Sequence, residues 1–117
     1  MDIGFDDRSP IYRQLADQLR AMILEGVYRN GDSLPSVRQI ASQHRINPLT
    51  VSRAFQLLSD DGLIEKRRGL GMYVAPGASQ LLTSEERRRF LEEELPAFQA
   101  RAEQLGFTLN ELLETTQ

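Results

Sequence analysis

One group of side chains that combine reach with hydrogen-bonding capacity falls between residues 36 and 71. Arg53 and Gln56 stand three residues apart, so they share one face of a helix. Leu49, Thr50 and Ser52 lie on the same side. This face is short-chained, polar and rich in donors, as a helix lying in a major groove must be. Lys66, Arg67 and Arg68 place three consecutive cations beside Gly69 and Gly71. The glycines permit positive φ and let backbone come close to a surface, where phosphates or a minor groove can meet the cations. Arg38, two residues past Ser36, is long enough to reach a phosphate or a base edge. These groups bind; they do not make a bond-breaking set. With one histidine and no cysteine, the chain offers neither a Ser-His-Asp nor a Cys-His arrangement, and no glycine-rich phosphate loop precedes a helix. We expect no enzyme, no cofactor and no metal.

Two capped helices should position these residues. Ser36 and Gln39 have capping-box spacing, and Val37, Ile40 and Ala41 supply an apolar face behind them. Asn47 is an N-cap residue and Pro48 occupies the first helical position, where its missing N–H costs nothing. Val51, Ala54, Phe55 and Leu58 recur at helical spacing and form a buried stripe, and Gly62 ends the helix. His44 falls at the surface end of the first of these helices. Leu63–Lys66 and Met72–Val74 then read as two short strands around the basic turn. Tyr73 should point inward. Arg53 has two outlets: a phosphate, or an ion pair with Asp60 or an acid of the N-terminal segment. The Thr50 hydroxyl likewise has phosphate or local backbone open to it. The pattern is a winged helix-turn-helix, mainly α with a small β wing.

The flanking segments read as support. A helix over about Pro10–Glu25 should be capped by Ser9, with Pro10 at its first position. Its buried stripe is Ile11, Leu15, Leu19, Met22 and Ile23, with Tyr12 and Gln14 near the edge. The Asn30-Gly31-Asp32 turn leads to Leu34-Pro35, a third short strand against the wing. Asp2, Asp6 and Asp7 read as a solvated tail.

The organisation expected is a DNA-binding domain at 8–75, a small-residue linker at 76–82 and a two-helix dimerisation module at 83–117. Thr83 with Glu86 has capping-box spacing. Leu91, Leu95, Phe98, Ala102 and Leu105 follow at intervals of 4, 3, 4 and 3, a seam of about two heptads. Pro96 lies within it and should kink the helix near 92–95. Gly106 ends that helix, and Thr108 with Glu111 opens a short one carrying Leu109, Leu112 and Leu113. So short a helix must pack on the long one or on a partner subunit. Arg87, Arg88 and Arg89, set among glutamates, read as a solvated, ion-paired face.

Charge follows the same division. Residues 1–34 carry net −2, residues 35–75 net +3 and residues 76–117 net −4, which together give −3. The positive charge is concentrated where the motif lies. No apolar run approaches the ~20 residues of a membrane span, and the N-terminus has no signal-peptide pattern. The absence of cysteine is compatible with a reducing cytoplasm.

The run from Leu34 to Val74, LPSVRQIASQHRINPLTVSRAFQLLSDDGLIEKRRGLGMYV, resembles the N-terminal domain of the GntR family of bacterial transcription regulators. The likeness rests on the I-Y-x-Q-L start, the G-D-x-L-P-S turn, the N-P-x-T-V-x-R-A helix entry and the G-x-G wing tip. The short C-terminal part looks like the YtrA subfamily, whose members keep a small helical dimerisation module. The resemblance implies a cytoplasmic homodimer on double-stranded operator DNA, an inverted repeat, with repression as the outcome and no membrane partner. It assigns DNA contact to Ser36, Arg38, Asn47, Leu49, Thr50, Ser52, Arg53, Gln56, Lys66, Arg67, Arg68, Gly69 and Gly71. Many relatives have arginine where this chain has Pro48 and Ser52, so base preference does not transfer. About 35 residues follow the linker, too few to enclose an effector pocket of ~300 Å³ except at a dimer interface. The alternatives are a winged helix used for protein contact, which would want an apolar recognition face, and one used for RNA, which would want exposed stacking aromatics.

Overall fold

The structure, a computed structural model, describes residues 3–115. Its elements are α1 (Ile11–Leu24), α2 (Val37–His44), α3 (Pro48–Asp60), β1 (Ile64–Arg67), β2 (Gly71–Val74), α4 (Ala78–Arg89), a π turn (Phe90–Glu94), α5 (Leu95–Gln104) and α6 (Leu109–Thr115). The chain divides into two compact units, one ending at Leu82 and the other beginning at Thr83.

The first unit is a winged helix-turn-helix. Leu15, Ala16, Leu19 and Ile23 of α1 meet Val51, Ala54, Phe55 and Leu58 of α3, all buried. Ile40 and Ala41 of α2 close the same core. Each large apolar side chain buried here is worth ~1.5–3 kcal/mol, so this cluster sets which face of α3 is left outside. Ile11, expected in the stripe, is 43% exposed because it begins the helix above the core.

Local chemistry sets the helix ends. The Ser36 hydroxyl accepts from the Gln39 N–H at 3.1 Å, and the Gln39 side chain accepts from the Ser36 N–H at 2.8 Å, completing the capping box. Asn47 Oδ1 accepts from the Leu49 N–H at 2.9 Å and starts α3. Between them Arg45 takes a left-handed conformation at φ 52°, and the Ile46 N–H donates back to the Ala41 carbonyl at 3.0 Å. That geometry makes the turn tight, and it favours glycine. His44 is half-buried rather than at the surface, with an Nε2 that has no hydrogen-bond partner.

The wing is an antiparallel pair in the register Ile64↔Val74, Glu65↔Tyr73, Lys66↔Met72 and Arg67↔Gly71. The first strand runs one residue later than expected and the second begins one residue earlier, at Gly71, because the tight turn lets Arg67 pair directly with Gly71. Ser33 bridges Tyr73, and the Leu34 N–H donates to the Met72 carbonyl at 2.9 Å, so a third short segment does line the wing.

Four expectations need correction. Ser9 does not cap α1; Pro10 is the cap residue, and the Gln14 side chain holds the Ser9 and Asp6 carbonyls at 2.6 and 2.8 Å. The N-terminal tail is only partly solvated: Asp6 and Asp7 are exposed as expected, but Ile3 and Phe5 pack against the core, while Asp2 lies outside the described residues. The stretch 76–82 is helical from Ala78, and Ala78 and Leu82 are buried in the core. Its cap comes from far away in sequence: Asn30 Oδ1 accepts from the Ser79 N–H at 3.0 Å, and Asn30 Nδ2 donates to Gln80 at 2.8 Å. Thr83 and Glu86 therefore fall inside α4 and cap nothing.

In the second unit the disturbance expected from Pro96 is a π turn over Phe90–Glu94, where the Leu95 N–H donates to the Phe90 carbonyl. A proline has no N–H to offer the regular ladder, and one wider turn absorbs the defect without ending the helix. Gly106, at φ 77°, ends α5, and Thr108 Oγ1 accepts from the Glu111 N–H at 3.2 Å to open α6. Arg88–Glu92 and Arg89–Glu93 form the expected ion pairs at 2.8 and 3.3 Å. Leu95, Ala102 and Leu112 are half-buried, whereas Leu91, Phe98, Leu105, Leu109 and Leu113 are exposed.

Arg45→Gly removes the left-handed strain between α2 and α3. We expect a stability gain of about 0.5–1 kcal/mol, after the entropy glycine loses on folding. A rise in the urea midpoint at unchanged slope checks it.

Candidate nucleic-acid interface

The outward face of α3 follows from its buried face. With Val51, Ala54, Phe55 and Leu58 inside, Leu49, Ser52, Arg53 and Gln56 are exposed and Thr50 is half-buried. Leu49, at 73% exposure, is the most open large apolar side chain among the described residues. It can cover a thymine methyl group, an apolar contact available in a major groove. Arg38 of α2 lines one open groove of about 570 Å³ with Pro48 at the start of α3. The side-chain oxygens of Ser36 and Asn47 are committed to capping, so what these two offer a ligand is the helix starts they build.

Arg53 makes neither of the ion pairs considered from sequence. Asp60 instead accepts from Gln56 Nε2 at 2.8 Å. The Arg53 guanidinium lies over the Tyr12 ring, 4.1 Å from its centroid. Among the described residues no carboxylate lies within ion-pairing distance of it. Arg13 Nε donates to the Tyr12 hydroxyl at 3.2 Å, and that bond is the main cause holding the phenol below its ordinary pKa.

The wing repeats the device. Arg67 lies 4.2 Å over the Tyr73 ring, with a long 3.5 Å contact to Glu65. The register puts Tyr73, Glu65 and Arg67 on the face opposite Ile64 and Val74, so Tyr73 does not point inward as expected. Lys66 and Arg68 are exposed, and Leu70 stands out at the tip between Gly69 (φ 76°) and Gly71 (φ 100°). In each of these tyrosines a guanidinium thus covers one ring face, which is not free to stack on an unpaired base.

Residues 11–74 match the family model for bacterial regulatory proteins of the gntR family. The chain belongs to the GntR family. It is a transcriptional regulator with a DNA-binding winged helix. It is 38% identical to the HTH-type transcriptional repressor YtrA of Bacillus subtilis, over 96% of this chain and 87% of that protein. It is 36% identical to the uncharacterized HTH-type regulator YhcF of the same species, over 97% and 93%. A crystal structure of a GntR-family regulator from Bacteroides thetaiotaomicron is similar at TM-score 0.69 and 35% identity, covering 91% of this chain and 92% of the other. The likeness to YtrA extends past the wing through the short C-terminal unit, so the chain is YtrA-like. Sequence reasoning set Tyr12 on the edge of its helix but did not anticipate its contact with Arg53. The signal available was the position of Tyr12 on the edge of an amphipathic helix, and nothing local says which neighbour that edge meets.

Removing Arg67 and Arg68 together should weaken binding to every duplex tested and flatten the dependence of affinity on salt. The log–log slope should fall by about 2 if both meet phosphate. An unchanged slope, measured by titration at several salt concentrations, would remove the wing from the interface.

Proposed function

We propose that the chain is a homodimeric repressor that binds an inverted-repeat operator, acting by binding and not by catalysis. Each subunit would set the outward face of α3 into a major groove and bring the wing tip, Arg68 to Gly71, toward the neighbouring minor groove. The observation that carries this reading is the exposed α3 face, with Leu49, Thr50, Ser52, Arg53 and Gln56 held outward by a fully buried stripe behind them. Arg38, Lys66, Arg67 and Arg68 would anchor it to phosphate, with the starts of the helices capped by Ser36 and Asn47 nearby. Repression is supported by the likeness to YtrA, itself a repressor, and would follow from occupying promoter DNA in the cytoplasm.

The division of labour would place DNA binding in 8–75 and dimerisation in 83–117. Leu91, Phe98, Leu105, Leu109 and Leu113 stand exposed in that second unit. Leu95, Ala102 and Leu112 lie half-covered among them. An apolar surface of this kind on so small a unit calls for a partner, and a second copy gives the two-fold symmetry an inverted repeat requires.

Two outcomes follow. Leu95→Asp would bury an unpaired charge in the seam at a cost of several kcal/mol, so light scattering should report monomers while the winged helix stays folded. A wild-type protein that is monomeric at micromolar concentration contradicts the dimer. On a site selected from random duplex DNA, footprinting should protect two half-sites, and base changes in either half should weaken binding. A single asymmetric site, insensitive to changes in one half, overturns the symmetric mechanism.

A further inference from the structure

None of the carboxylates on α1 or at the end of α3 pairs with Arg53. Asp17 and Asp61 both pair with Arg20, and Asp60 accepts from Gln56. Arg53 is left with a tyrosine face, and that difference matters chemically. A carboxylate partner would occupy the N–H edge of the guanidinium and cancel its charge. A ring partner takes only the flat face and leaves the charge and the donors at the edge. The ring is itself held in place: Tyr12 is half-buried against the core, and Arg13 donates to its hydroxyl at 3.2 Å. Arginine has a large rotamer entropy to lose on binding, and a stacked guanidinium has lost part of it beforehand.

We propose that Tyr12 is a positioning residue for DNA binding: its ring holds Arg53 by the face, so that the guanidinium edge is presented to backbone phosphate. The first turn of α1 thereby becomes part of the interface without touching a base. The proposal rests on the DNA-binding reading above, and its effect is independent of sequence, since a phosphate contact fixes orientation and reads no base.

The test separates the stack from the DNA. In free protein, the Arg53 Nε–H resonance should be displaced by the Tyr12 ring current in wild type and in Tyr12→Phe, and should return toward the random-coil position in Tyr12→Leu. On a labelled mixed-sequence duplex, Tyr12→Leu should weaken binding roughly three- to tenfold, whereas Tyr12→Phe should stay close to wild type. On an Arg53→Ala background, Tyr12→Leu should cost nothing further. Tyr12→Met is the second apolar replacement, with thermal melting to establish that both variants fold.

Losses that add across Tyr12→Leu and Arg53→Ala would overturn the proposal, because the two residues would then act separately. Equal losses in Tyr12→Phe and Tyr12→Leu would overturn it in favour of a direct contact by the hydroxyl. An undisplaced Arg53 resonance in wild type removes the stack itself. Should the resonance be displaced while wild type binds no duplex at all, the DNA reading fails and takes this role with it.

Discussion

Packing of α1 against α3 is the constraint on which the rest of the first unit depends. Leu15, Leu19 and Ile23 on one side and Val51, Phe55 and Leu58 on the other leave α3 no freedom to rotate about its axis. Rotation by one residue would expose part of that stripe and bury Arg53 or Ser52. Burying a charge without a partner costs several kcal/mol, so the apolar stripe fixes the polar face as firmly as itself. The Arg20–Asp61 ion pair ties α1 to the end of α3 as well, though a partly exposed pair adds little to stability. The recognition face is therefore a by-product of the core.

Charge is handled differently in the two units. In the second unit, Arg88 and Arg89 are matched to Glu92 and Glu93 one turn on, which leaves little field to attract a polyanion. In the first unit, Arg53 and Arg67 lie on Tyr12 and Tyr73. Stacking orders a guanidinium without discharging it. A chain of net charge −3 can thus present a local positive surface, because most of its acids lie outside residues 35–75 and within that stretch only Glu65 pairs with a candidate phosphate contact, Arg67, at 3.5 Å.

Much of this was legible in the sequence, wherever the causes are local. The capping box at Ser36 and Gln39, the Asn47-Pro48 entry and the Val51–Leu58 stripe lie within a few residues of the atoms they govern, and α2 and α3 form where these signals place them. The elements misread depend on partners far along the chain. Residues 76–82 look like a linker because their own composition is small and flexible; Asn30, about fifty positions earlier, caps them into a helix. Arg53 had visible acids to pair with, yet its partner is Tyr12, which only the α1–α3 packing brings near. Tyr73 was read as inward, but alternation along β2 puts it on the face opposite the buried Val74. The disturbance before Pro96 was legible because the missing backbone donor is local, but its form as a π turn over Phe90–Glu94 was not.

The central claim is that the α3 outward face and the wing together form the surface that meets duplex DNA. Amide chemical-shift mapping during titration with a duplex tests this most directly, because it reads every residue in one experiment. The account predicts the largest changes within 47–56 and 66–71, smaller ones at 36–38 and in the first turn of α1, and none at the buried Leu15, Leu19 and Ile23 of α1. Changes concentrated in α4 to α6, with 47–56 and 66–71 silent, would contradict it.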